Sequence, residues 1–347
     1  MLTVVIDINK LNKNIQAIKK IIKGEFCAVV KADAYGHGDK IVSYIEDKVD
    51  SFAVSNLLEA NKLLNYNIKK PIYILTPCLP KKITPNFIYT IASMGDLSYL
   101  LKLKSPYIKY VSIKINSGMN RLGVDADMLD KILKTIYACH NVEIVSVFTH
   151  FYNGENCIDT NKQCGFFQNI IDKYLLGSNI KIHCCASLSA LNNQQMHFDM
   201  VRIGLAMYGY GHKDLLPIMS AYTQVLQVNF VKKGEHIGYG NFLANSDTKT
   251  ATISVGYADG YRRLFDKPRY VSYKGKFLKV LSVCMDMCII DATDTNIQQG
   301  DIVYILGKGI SGENLAESYN SIVYEVLTSF KGNRVKHIYK NNFKVQK

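Results

Sequence analysis

The chain has 347 residues, 48% hydrophobic and 20% charged, enough to bury a substantial core in two domains or in one large barrel with an attachment. Its 42 basic against 29 acidic residues give a formal charge of +13, yet the lysines are dispersed and no basic block is long, so no nucleic-acid partner is expected. No apolar run is long enough to cross a bilayer, Asp7 interrupts the first apolar stretch where a secretion signal would continue, and the nine cysteines show neither C-x-x-C pairs nor zinc-type spacing, so a cytoplasmic protein without a metal site or membrane association is expected.

Asp7 can cap a first helix on which Leu11, Ile15, Ile18 and Ile22 recur at helical spacing. Apolar, β-branched runs then begin near Phe26, Ser51, Pro71, Tyr89, Ile108, Glu143, Ile180 and Met200, with helical segments between most of them. One such helix is predicted to start at a cap on Asp159, to turn Phe166, Phe167, Ile170, Tyr174 and Leu175 inward, and to end at Gly177. Continuous apolar strands alternating with helices imply parallel strands covered on both faces. Eight of them predict an α/β fold, a (β/α)8 barrel of the TIM type; an open doubly wound sheet is the alternative.

In a barrel the working groups come from strand C-termini and the loops that follow. The first strand delivers Lys31 to such a position, followed by Asp33, Tyr35 and Gly36-His37-Gly38. Desolvation lowers the pKa of an ammonium group and frees its amine as a nucleophile, which suits a lysine that forms a Schiff base. A lysine that only snorkels from a strand end, followed by a glycine-shaped turn, fits the run equally well. Asn116, Met119 and Arg121 follow the fifth strand, His150 closes the sixth, Ser187 the seventh, and Arg202 and Gly204 lie in the eighth.

Beyond Tyr208-Gly209 the helical periodicity fades. Short strands are predicted at Thr223–Val231, Thr250–Val255, Tyr270–Tyr273, Leu278–Val283, Met287–Asp291 and Ile302–Ile305, with one helix or turn near Asn314–Thr328. The domains are accordingly placed at 1–215, the barrel, and 216–347, a mainly β C-terminal domain.

Five motifs, in order, carry a resemblance. They are Ala28 through Gly38 (AVVKADAYGHG), Lys114 through Gly123 (KINSGMNRLG), Met200 through Gly209 (MVRIGLAMYG), Val255 through Tyr261 (VGYADGY), and Val283 through Met287 (VCMDM). Over nearly its full length the chain resembles bacterial alanine racemases, enzymes that depend on pyridoxal phosphate (PLP) and combine a barrel with a β domain. The resemblance implies that Lys31 holds PLP and serves as one base, and that Tyr257 is the second base on the opposite face of the substrate. Racemisation needs such a pair, because the α-proton leaves one face and returns to the other.

The resemblance further implies that Tyr257 connects to His150 and through it to Arg202, which faces the pyridine nitrogen of the cofactor. Arginine only donates, so that nitrogen accepts a hydrogen bond and the cofactor is a restrained electron sink. Phosphate would be held by Tyr35, Ser187, amides near Gly204 and Leu205, and Tyr324. Arg121 would contact the cofactor and the substrate carboxylate, Met285 the carboxylate through its backbone, with Asp286 shaping that loop. Lys114 matches a position carbamylated in some relatives. The expected activity is alanine racemisation of a small amino-acid substrate, supplying D-alanine for peptidoglycan, in a homodimer whose shared sites combine Lys31 of one copy with Tyr257 of the other.

Three positions depart from the family pattern. Ala186 replaces an asparagine, Asn116 an aspartate, and Arg334-Val335-Lys336 the common R-V-P. Rival readings are a racemase of broader, serine-type specificity, a PLP-dependent amino-acid decarboxylase, and a non-enzymatic PLP-binding barrel. Arg202 and the VGYADGY tyrosine argue against the second, and the β domain against the third.

Overall fold

The computed structural model describes residues 1–239, 242–263 and 267–341. It falls into two compact units. One comprises Leu11–Ala34 and Asp39–Leu216; the other comprises Met1–Lys10, Tyr35–Gly38 and Pro217–Lys347.

The chain opens with a strand, β1 (Leu2–Asp7), and then lays down eight more that form the first unit. These are β2 (Glu25–Val29), β3 (Ser51–Val54), β4 (Ile72–Ile74), β5 (Phe87–Ile91), β6 (Lys109–Lys114), β7 (Val142–Phe148), β8 (Lys181–His183) and β9 (Met200–Ile203). All adjacent pairs are parallel, in the order β8-β7-β6-β5-β4-β3-β2-β9. A bridge between Ala186 and Arg202, with Arg202 N donating to Cys185 O at 3.0 Å, joins the two ends of the sheet. The strands are mainly apolar because both faces are covered: every residue of β3, β4 and β5 is buried. This is the (β/α)8 barrel that the strand and helix pattern predicts.

Its helices follow their caps and apolar spacing. Asp7 Oδ1 accepts from Lys10 N at 3.0 Å ahead of helix Ile8–Lys19, which buries Leu11, Ile15 and Ile18. Asp125 caps helix Ala126–Tyr137, which buries Leu129, Ile132, Leu133 and Ile136. The long helix runs Cys157–Tyr174, and its cap is Asn156, whose side chain accepts from the amides of Ile158 and Asp159. Asp159 lies one turn inside, where its charge favours the helix N-terminus. Phe167, Ile170 and Leu175 are buried as expected, whereas Phe166 is 49% exposed, because its position falls off the inward stripe.

Between β2 and β3 the backbone does something the residue types give no hint of. Lys31–Gly36 forms a helical turn in which Ala32, Asp33, Ala34 and Tyr35 take φ of 53°, 57°, 51° and 55°, followed by Gly36 at 77°. The turn is left-handed. Such a conformation costs roughly 1–2 kcal/mol per L-residue, so surrounding bonds must hold it. Glu59 does so from helix Leu57–Leu64, accepting from Ala32 N at 2.9 Å and from Ser55 N at 2.7 Å.

The second unit is built from β1, β10 (Met219–Val231), β11 (Thr248–Ile253), β12 (Tyr270–Tyr273), β13 (Lys276–Val283), β14 (Cys288–Asp291), β15 (Ile302–Leu306) and β16 (Val335–Lys340). The sheet order is β11-β14-β13-β12-β15-β10-β1-β16, and β10 also pairs with β11. Six strands therefore close into an antiparallel barrel that includes the long β10, which changes partner near a register shift between Val225 and Gln227. Strands β1 and β16 extend it, β1 antiparallel to β10 and parallel to β16. The segment near Asn314–Thr328, where one helix or turn is expected, is two short helices, Gly312–Ser318 and Val323–Ser329.

Candidate active site

Arg202 occupies the centre of the first unit's polar interior. It is buried, and β9 aims its guanidinium at neutral acceptors: Cys184 O at 2.9 Å, Thr149 O at 2.8 Å, His150 Nδ1 at 3.2 Å and His183 Nδ1 at 2.5 Å. Since arginine only donates, both histidines present an unprotonated Nδ1 and carry their proton on Nε2. From there His183 reaches Ser146 Oγ at 3.2 Å, which in turn meets Ser112 Oγ at 2.6 Å. Phe148 stacks flat on the His183 ring at 5.0 Å. Burial and then the Arg202 charge hold His150 down to about 3 and His183 well below the usual histidine range, so both rings stay neutral.

Lys31, Lys114, Arg121 and His150 share this electrostatic surrounding. Burial lowers the Lys31 ammonium, and the Arg121 charge lowers it further; Glu59 opposes them in part and Arg202 adds to the lowering. Lys114, buried at the end of β6 with Nζ 5.7 Å from the Phe148 ring centre, is pulled down to about 8 by burial and then by Arg121, Arg202 and Lys31. Lys114 and Arg202 are buried, Lys31 is half-buried and Arg121 is exposed, and like charges in such an arrangement repel one another. An anion placed among them would relieve that repulsion.

Ser187, the first residue of a short helix after β8, points its Oγ at backbone amides, accepting from Gly204 N at 3.0 Å and Ala206 N at 3.2 Å. An oxygen that accepts twice retains its own proton to donate. Of the residues that the sequence marks, the first unit thus gathers Lys31, Lys114, Arg121, His150, Ser187, Arg202 and Gly204.

The second unit gathers the others. Tyr35 is buried at the end of the left-handed turn, its phenol pushed up mainly by burial, and its ring lies 5.9 Å from that of Tyr324 on helix Val323–Ser329. Gly36 fits there only as glycine, since a Cβ would fall 2.0 Å from Leu327 O. Tyr257 opens a tight turn, Tyr257–Asp259, that is bonded to the loop after β13: Tyr257 N donates to Cys284 O at 3.1 Å and Ala258 N to Met285 O at 2.8 Å. Tyr257 and Met285 therefore stand side by side, 42% and 58% exposed, with Asp286 next in the loop.

Several participants carry no signal of their own in the sequence. His183 and the carbonyls of Thr149 and Cys184 are recognised only once the barrel brings them to Arg202. Glu59 reads as an ordinary residue of a helix first turn.

Comparison with known proteins agrees with this architecture. A sequence model of the alanine racemase N-terminal domain matches residues 6–212, and one of the alanine racemase C-terminal domain matches residues 218–339. The alanine racemase of Clostridium tetani is 34% identical, covering 96% of this chain and 94% of that protein. The alanine racemase of Thermodesulfovibrio yellowstonii is 35% identical, with 94% of each covered. Among solved structures, alanine racemase from Bacillus anthracis with bound L-Ala-P superposes with a TM-score of 0.90 at 29% identity, covering 99% of this chain and 96% of that one. That from E. faecalis superposes with a TM-score of 0.91 at 26% identity, covering 98% of both. With both domain models matched in order and relatives above 30% identity over nearly the whole length, the chain belongs to the alanine racemase family, an isomerase family.

Proposed function

We propose that the protein interconverts L-alanine and D-alanine with bound PLP, by two bases acting on opposite faces of the substrate. The observation that carries this reading is the set of cations around Lys31, namely the buried Lys114 and Arg202 and the exposed Arg121, joined by a neutral histidine. An anionic cofactor and an anionic substrate carboxylate are what such a set is short of, so the residues present fit PLP.

Lys31 would hold the cofactor through its amine, which burial keeps available for bonding. Arg202 would donate to the ring nitrogen. Ser187, with the amides of Gly204 and Leu205, and the paired Tyr35 and Tyr324 would bind phosphate. When bound, PLP supplies a conjugated ring that takes up the electron pair left as the α-proton departs. Arg121 and the backbone of Met285 would orient the substrate carboxylate. Lys31 moves a proton on one face and the Tyr257 hydroxyl on the other. His150, fixed as the Nε2–H form by Arg202, has a proton with which to stabilise a phenolate.

The exposure of Tyr257 and Met285 on the single chain supports a homodimer in which they complete the site of the other copy. In a bacterium the activity would supply cytoplasmic D-alanine for peptidoglycan. The reading is tested by offering purified, PLP-loaded protein a panel of L-amino acids including L-alanine and L-serine, then separating the products by chiral chromatography. D-alanine as the dominant product is expected. Preferential racemisation of serine, or release of carbon dioxide, would contradict it.

A further inference from the structure

The turn that presents Tyr257 has a fastening that none of the roles above uses. Asp259, two residues on, is only 2% exposed, and both its carboxylate oxygens are engaged. Oδ2 accepts from Gly256 N at 2.9 Å, closing the turn on itself, and Oδ1 accepts from Arg334 Nε at 2.9 Å, from the segment that leads into β16. A buried carboxylate needs such partners, because one left unpaired is costly. Arg334 also lies in the field of Asp286, beside Met285, and its guanidinium is held above the usual range chiefly by Asp259.

The rest of the turn is fixed independently. A Cβ on Gly256 would lie 2.4 Å from the Met285 backbone, and one on Gly260 would lie 2.3 Å from Ser329 O, so both ends pack directly on main chain. Arg262 pairs with Glu325 and donates to Tyr319 O at 3.2 Å, tethering the far side. Arg334 thus bonds the turn through Asp259, its last residue, while its own side chain remains 54% exposed.

We propose that Arg334 is a positioning residue: through Asp259 it fixes the direction in which Tyr257 presents its hydroxyl, and it does not itself touch substrate. The inference rests on the reading of Tyr257 as one of two bases, and it adds that the second base depends on an ion pair within its own domain. A displacement of about 1 Å in a reacting group is enough to cost on the order of a hundredfold in rate. Loss of the pair should therefore appear in the proton step that Tyr257 carries and not in the one that Lys31 carries.

The test uses the PLP-loaded enzyme and follows α-proton exchange of L-alanine and of D-alanine into deuterium oxide separately by proton NMR, together with thermal melting. Tyr257→Phe defines which enantiomer depends on the phenol. Arg334→Ala is expected to slow exchange of that same enantiomer by about tenfold or more while sparing the other. Asp259→Asn, which keeps an acceptor for Gly256 N, should do the same, and Arg334→Lys should recover part of the loss. If Arg334→Ala slows both enantiomers equally, with or without a lower melting temperature, or slows neither, the positioning role is wrong although Tyr257→Phe remains selective. If Tyr257→Phe is itself unselective, the two-base reading falls, and this proposal with it.

Discussion

At the residue scale the chemistry turns on how cations are kept together out of water. Lys114 is the clearest case: it is buried, faces Arg121, Arg202 and Lys31, and titrates near 8 in the fold against 10.5 free in solution. The sign of the linkage follows from proton counts. Between about 8 and 10.5 the unfolded chain binds the proton that the folded chain has released. Stability of the cofactor-free protein therefore rises with pH across that window, and the destabilisation is complete below it. Lys114→Met should raise the melting temperature of the cofactor-free protein at pH 7 and flatten its rise between about pH 8 and 10.5. A melting temperature that instead falls in the variant would mean that the ammonium is already paired with an anion or has been converted to a carbamate.

At the element scale the informative feature is the left-handed turn after β2. Alanine is the best helix former and glycine costs about 1 kcal/mol in an ordinary helix, but the preference reverses where φ is positive. Ala32, at φ 53° and only partly buried, is the place to test it. Ala32→Gly should leave stability unchanged or raise it by up to about 1 kcal/mol by chemical denaturation; a loss of the size expected for a right-handed helix would contradict the handedness. This turn also marks a limit of what the sequence discloses. KADAY contains no glycine, so nothing in its residue types announces positive φ, and the conformation is imposed by the Glu59 bonds and by Gly36 packing on Leu327.

The barrel strands were legible because continuous apolar runs have no other use in a protein of this composition, and all eight lie where those runs begin. Strands β12 and β15 lie where short strands are predicted, at Tyr270–Tyr273 and Ile302–Ile305. By contrast, β1 and β16 were hidden, since LTVVID reads as the approach to a helix and VKHIYK as a polar tail, and they find each other only through long-range pairing. Asn156 and Asp159 are both residue types that cap well, and which of them caps depends on where the chain enters the helix.

At the scale of the whole molecule, the residues marked from the motifs separate into two sets held by different units: the cations and neutral histidine of one, and Tyr35, Tyr257, Met285 and Tyr324 of the other. Motif order makes most of both sets visible, whereas His150 and Tyr324 lie outside the five motifs. The acceptors that hold Arg202 were not visible, since carbonyls carry no sequence identity. The central claim is that Lys31 of one copy and Tyr257 of another serve a single substrate. Co-expression of differently tagged Lys31→Ala and Tyr257→Phe chains, each inactive alone, tests it most directly through the activity of mixed dimers isolated by both tags. In the isolated mixed dimers one of the two sites is intact, so about half of the wild-type activity per dimer is expected. Mixed dimers that form and bind cofactor yet show no racemase activity would contradict it.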